Sequence, residues 1–139
     1  MLKNDHFAFA VSDMDRAIEF YCGMLGMKLM FREHNENDHE IFAMLELNGG
    51  NLELIQSLDE NDQPVPFERP EVRRPFCPHI AFPTESMEET MAMVAGKGIR
   101  VVHGPTEIPG AEKWVYLSDP DNNVIEFIEW ADGAPGHSG

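Results

Sequence analysis

Basic residues are scarce in this chain: 10 Lys and Arg stand against 25 Asp and Glu, a formal charge of −15 across 139 residues. That balance argues against a nucleic-acid partner, because phosphate backbones are bound by basic faces. The same field repels small anions unless a local cationic cluster opposes it. Cysteine is scarce too. Cys22 and Cys77 are isolated, with no framework spacing, which predicts reduced thiols in a cytoplasmic protein. No apolar run reaches the roughly 18 residues of a membrane span, so none is predicted. The opening "MLKNDHFAF" has no basic segment leading into a long apolar core, and no secretory leader is expected. What remains is an ordinary apolar content of 42%, enough for one domain or for two small modules sharing a core.

Hydrophobic periodicity then divides the chain. "KNDHFAFAV" (3–11) alternates as a strand, and "SDMDRAIEFYCGMLG" (12–26) carries Met14, Ala17, Ile18, Tyr21 and Leu25 at helical spacing. Ser12 or Asp13 caps that helix and Gly26 ends it. "KLMFRE", "EIFAMLEL" and "NLELIQ" follow as strands, separated by "HNENDH" and "NGG". Residues 57–75 are polar, hold four prolines and predict a linker. The order then recurs. A strand over "FCPHIAF" (76–82) leads to a helix over 85–98, with Met87, Met91, Val94 and Ala95 on one side. The strands "IRVVH", "KWVYLS" and "NVIEFIEW" complete the second copy. The predicted organisation is a βαβββ module over 1–58, a linker over 59–75, a second βαβββ module over 76–130 and a disordered tail over 131–139.

The two copies align on chemistry as well as on elements. His6 and His79 are 73 residues apart, and so are Glu53 and Glu126. "HFAF" matches "HIAF", and "LELI" matches "IEFI". Strand alternation places each His and Glu on the face opposite the large apolar residues, with alanines beside both histidines. The apolar faces are free to pack on the helices, and the other faces predict a partly apolar cup. Two imidazoles and two carboxylates in a cup suit a divalent metal: Zn²⁺, Ni²⁺, Co²⁺, Mn²⁺ or Fe²⁺. Four ligands on an octahedral ion leave two positions for water or substrate oxygens. His34, His39, His103 and His137 lie in polar or terminal segments and read as surface.

From His6 to about Trp130 the chain resembles the vicinal oxygen chelate (glyoxalase/bleomycin-resistance/dioxygenase) superfamily. The resemblance rests on "HFAFAVSDMDRAIEFYCGMLGMKL", "HIAF" and "LSDPDNNVIEFIE". It implies an α+β fold: two βαβββ modules forming a cupped eight-stranded mixed sheet with helices on the outer face. It implies one metal held by His6, Glu53, His79 and Glu126, and the His/Glu/His/Glu set most resembles bacterial glyoxalase I (lactoylglutathione lyase). The implied activity is that of a lyase or isomerase acting on a 2-oxo aldehyde–thiol adduct, or a related vicinal-oxygen compound, through a metal-bound enediolate. Glu126 is then the base and Glu53 its partner across a nickel, cobalt or zinc ion, with manganese or iron as further candidates. A homodimer acting on a small molecule, with no membrane or nucleic acid involved, also follows from the resemblance.

Two positions depart from the glyoxalase I pattern, where an Arg four residues after the first His and an Asn four residues after the first Glu grip glutathione. Ala10 and Ser57 stand there. Arg73 and Arg74 could supply the lost cations, but they read as linker surface. The competing expectations are a methylmalonyl-CoA epimerase-like enzyme or an extradiol dioxygenase on the same scaffold, or a metal-free drug-binding resistance protein.

Overall fold

The computed structural model describes residues 1–134 and 136. Within it the chain divides into two compact units, Met1–Arg69 and Pro70–Gly139. Each is a βαβββ module with one four-stranded mixed sheet, giving an α+β fold.

In the first unit the strands are β1 (His6–Ala10), β2 (Lys28–Asn35), β3 (Glu40–Glu46) and β4 (Asn51–Ser57), ordered β1-β4-β3-β2. β1 runs parallel to β4, so Phe7 lies beside Leu52 and Phe9 beside Leu54. Alternation does the rest. Phe9, Leu52, Leu54, Ala43 and Leu45 are buried on the face that takes the helix, while His6, Ala8 and Glu53 lie on the other. Leu54 is fully buried between Phe9 and Ala43 in neighbouring strands. Leu54→Ala should therefore cost about 2–5 kcal/mol of stability, read as a lower denaturant midpoint at an unchanged slope.

The predicted helix over 12–26 differs in form. Asp13 caps α1 (Met14–Ile18), accepting from the Arg16 N–H, and the chain then widens into a π-helical segment, Glu19–Met24. Phe20 and Tyr21 are both buried in this segment, their rings 4.9 Å apart between centroids. Ile18 and Leu25, expected on the buried stripe, are only half-buried. Gly26, at φ +76, ends the segment in the left-handed region.

The second unit repeats the plan with β5 (His79–Pro83), α2 (Met87–Gly96), β6 (Arg100–Ile108), β7 (Glu112–Ser118) and β8 (Val124–Trp130), ordered β5-β8-β7-β6. β5 starts three residues later than predicted, because Phe76 occupies φ +63 and Pro78 has no N–H to give to a ladder. On α2 the buried residues are Met87, Thr90 and Val94, whereas Met91 is half-buried and Ala95 exposed. Thr90 is tolerated inside because its Oγ1 lies 2.7 Å from Thr84 Oγ1. Each helix start is also held from the sheet. The Met14 N–H donates to Gln56 Oε1 (2.8 Å) and the Met87 N–H to Glu129 Oε1 (2.7 Å), an unpredicted second correspondence between the copies.

The segment predicted as a linker has fixed local structure. Asp59 Oδ1 accepts from the Asn61 and Gln63 N–H groups, and Leu58 bridges Pro64. The tail predicted to be disordered begins with a hydrogen-bonded turn, Ala134 N–H to Ala131 O, with Ala134 buried. His137, expected at the surface, lies outside the described residues. Among the described residues no helix is long and apolar enough to cross a membrane.

Candidate metal centre

Each unit builds one imidazole–carboxylate pair, and it does so by parallel strand pairing. In the first unit β1 lies against β4, putting Ala8 beside Glu53 and leaving His6 one alternation earlier on the same face. His6 Nε2 comes to 3.7 Å from Glu53 Oε1. Its Nδ1 lies 2.7 Å from Asp5 Oδ2, so the Nδ1–H donates to that carboxylate and Nε2 is the nitrogen turned to Glu53. The Asp5 hydrogen bond is the main reason the His6 imidazole titrates above its ordinary value. Burial opposes the shift, and the Glu53 carboxylate adds to it.

In the second unit β5 lies against β8 in the same register, with Ala81 beside Glu126. His79 Nε2 is 3.0 Å from Glu126 Oε1, and the His79 Nδ1–H donates to the Phe76 carbonyl at 2.8 Å. This pair is the more enclosed one: the His79 and Glu126 side chains are 22% and 11% exposed, against 40% and 16% for His6 and Glu53. Burial raises the Glu126 carboxyl pKa. The positive charge of His79 opposes the shift, and the Glu112 carboxylate adds to it.

A wall of aromatic side chains stands beside the second pair. Across the sheet, Tyr116 faces Glu126 and His103 faces Tyr116. The Phe76 ring stacks on His103 (5.4 Å between centroids, 23°) and leans on Tyr116 at 4.9 Å, while Tyr116 is 5.2 Å from the His79 ring. Burial holds the Tyr116 phenol above its usual pKa, so it stays neutral at physiological pH. His103 is thus a half-buried member of the site face, correcting the reading as surface. The bulge at Gly104 (φ +97) carries the turn beside it, and a Cβ there would come within 3.0 Å of the Trp114 carbonyl. Arg74, read as linker surface, sets its guanidinium 5.8 Å from the Phe76 ring centroid. Arg73 pairs with Glu71 at 3.4 Å in solvent. His34, on the edge strand β2, and His39 lie outside β1 and β4 and share Asp62 Oδ1 at 3.4 and 3.0 Å. Cys77 is exposed and Cys22 half-buried.

Sequence reasoning missed Asp5, Phe76 and Tyr116. Tyr116 was within reach, since alternation along "KWVYLS" puts Trp114 and Tyr116 on one face. Asp5 and Phe76 act through a turn conformation and a hydrogen bond, which leave no periodic trace.

The donor chemistry fits a divalent cation. Both histidines have Nδ1 committed to an acceptor and Nε2 turned to a carboxylate, the arrangement that fixes a ligating imidazole. Each unit brings one such imidazole and one carboxylate together, and among the described residues no group of three or more His, Cys, Asp or Glu side chains could hold a metal ion. With His6 as a ligand, Asp5→Ala would weaken metal binding about ten-fold, the low end for an orienting partner because Asp5 is solvent-exposed. It should also bring the raised His6 pKa back down, measurable by NMR titration of the metal-free protein. Protons compete for Nε2 as pH falls through that pKa, so in the variant the competition begins at lower pH.

Among curated proteins, the chain is 26% identical over 134 residues to a probable chloroplastic lactoylglutathione lyase of Arabidopsis thaliana, covering 92% of this chain but 37% of that one. It is 26% identical over 125 residues to a probable lactoylglutathione lyase of Synechocystis, covering 89% and 92% of the two chains. Among solved structures, a glyoxalase family protein from Enterococcus faecalis superposes with a TM-score of 0.71 at 27% identity, over 89% of this chain and 94% of that one. With residues 3–127 matching the model of the Glyoxalase/Bleomycin resistance protein/Dioxygenase superfamily, this doubled βαβββ chain belongs to that superfamily.

Proposed function

We propose that this protein is a divalent-metal-dependent lyase or isomerase of the glyoxalase I type, active as a homodimer on a 2-oxo aldehyde–thiol adduct or a related vicinal-oxygen compound. One observation carries the reading: at repeated positions in both modules, a histidine turns its Nε2 toward a carboxylate while Nδ1 is tied to an acceptor. His6, Glu53, His79 and Glu126 would hold the ion, within one chain or across the two chains of a dimer. Nickel, cobalt or zinc suits these ligands. The bound ion would polarise the substrate oxygens and acidify the neighbouring C–H.

The chain's own residues supply the proton chemistry. Glu126 is buried, and burial raises its pKa toward neutrality, which suits a group that must both take and return a proton. Glu53, less enclosed, completes the carboxylate set. Ala8 and Ala81, beside the two carboxylates, leave room for a small substrate on these faces.

Metal analysis of protein purified without added metal is the first test, paired with turnover of methylglyoxal with glutathione and with other thiols. Stoichiometric metal and isomerisation without dioxygen uptake support the reading. Dioxygen uptake with iron would shift it to a ring-cleaving dioxygenase, and metal-free protein that takes up no added metal would overturn it. Size-exclusion mass tests the dimer.

A further inference from the structure

The two imidazoles are oriented by unlike acceptors. His6 has the Asp5 carboxylate beside it. The matching position in the second module, 73 residues on, is Pro78, which has no side-chain acceptor, and the His79 Nδ1–H goes to the Phe76 carbonyl at 2.8 Å instead. An uncommon backbone aims that carbonyl. Phe76 sits at φ +63, and its own N–H donates to the Arg73 carbonyl at 2.8 Å. Left-handed backbone crowds a Cβ and is disfavoured about 5- to 30-fold for a residue other than glycine. A glycine would hold the turn without that cost. Phenylalanine brings a ring, stacked on His103 at 5.4 Å and tilted against Tyr116 at 4.9 Å between centroids.

We propose that the Phe76 ring and His103 are positioning residues for the second imidazole: their stack holds the left-handed turn that aims the Phe76 carbonyl at His79. One such ring pair is worth about 2- to 10-fold in population, and the Tyr116 contact adds to it, so together they offset the backbone cost. Without the stack the turn relaxes toward the right-handed region, its peptide plane rotates, and the carbonyl leaves the imidazole. The ring of His79 can then turn about its side-chain bonds. His103 thus acts at one remove, through an aromatic ring and a backbone carbonyl. The bearing of this device on a metal ion rests on the function proposed above; the hydrogen bond itself does not.

Solvent exchange of the His79 Nδ1–H proton, followed by NMR in the metal-free protein, reads the population of the aimed turn. His103→Ala should speed exchange about 2- to 10-fold, the worth of the lost ring pair. Phe76→Ala should exchange about 5- to 30-fold faster than Phe76→Gly, although glycine removes more of the side chain, because only alanine keeps the backbone cost. A role in packing alone predicts the reverse order. Exchange in Phe76→Gly as fast as in Phe76→Ala, or exchange unchanged in His103→Ala, would each overturn the proposal. Should Phe76→Ala not fold, His103→Ala against the parent still decides, since His103 is half-buried and its backbone is unaltered. Metal affinity, by competition with a chelator, should follow the same order. The expected exchange order with equal metal affinities refutes His79 as a ligand and leaves the turn intact; metal uptake with unchanged exchange refutes the turn alone.

Discussion

Glu126→Gln is expected to keep the metal and lose turnover by about 10²–10⁴-fold, the contribution of a positioned proton-transfer group. The amide has the shape of the carboxylate and retains an oxygen for the ion. It has no proton affinity in the working pH range, so it cannot move a proton between carbons. The fold should tolerate the change. Glu126 is 8% exposed, and burial of its charge is what raises its pKa, so a neutral isostere relieves that cost. Thermal unfolding at or above the parent midpoint, with metal content preserved, would show that the loss is chemical. Undiminished turnover in that variant would remove Glu126 from the role. Glu53→Gln serves as the comparison, and a smaller loss is expected from the carboxylate of the more open pair.

The second large effect is an asymmetry between the histidines. His79→Ala should lower metal affinity by more than about 100-fold, beyond the usual cost of losing an orienting partner alone. His6→Ala should cost less. The difference follows from geometry. His79 Nε2 is 3.0 Å from Glu126 and its ring is fixed by the Phe76 carbonyl, whereas His6 Nε2 is 3.7 Å from Glu53 and is held by an exposed Asp5. Removing His79 also leaves Glu126 without the charge that opposes its burial, so the carboxyl pKa should climb further and protons compete for the ion. Competition titration against a chelator reads both affinities. Two small and equal losses would show that the four residues do not share one ion.

Much of this was legible in the sequence, for a local reason. Which face a strand residue occupies depends only on alternation, so Phe9, Leu52 and Leu54 could be assigned to the core and His6, Glu53, His79 and Glu126 to the opposite face. The spacing of 73 between like residues exposed the duplication, because the copies keep the same element lengths. Helix interiors were less legible. Phe20 is buried beside Tyr21 in the π-helical segment, and Thr90, though at helical spacing between Met87 and Val94, is polar and enters the core through a hydroxyl pair.

The sequence by itself determined the doubled βαβββ order, the two faces of each sheet and the four chemical groups of the candidate centre, since each is fixed by neighbours along the chain. Only the tertiary structure decided that β1 pairs with β4 and β5 with β8, which brings residues 47 apart in sequence to within 3.7 and 3.0 Å. It alone showed that Asp5 and the Phe76 carbonyl orient the imidazoles, that Tyr116 lies beside Glu126 with His103 beyond it, and that residues 65–68 line one cavity with Ala10 and Ser57. Those features come from non-local hydrogen bonds and from single backbone conformations such as Phe76 at φ +63, and neither repeats with a period that a sequence displays.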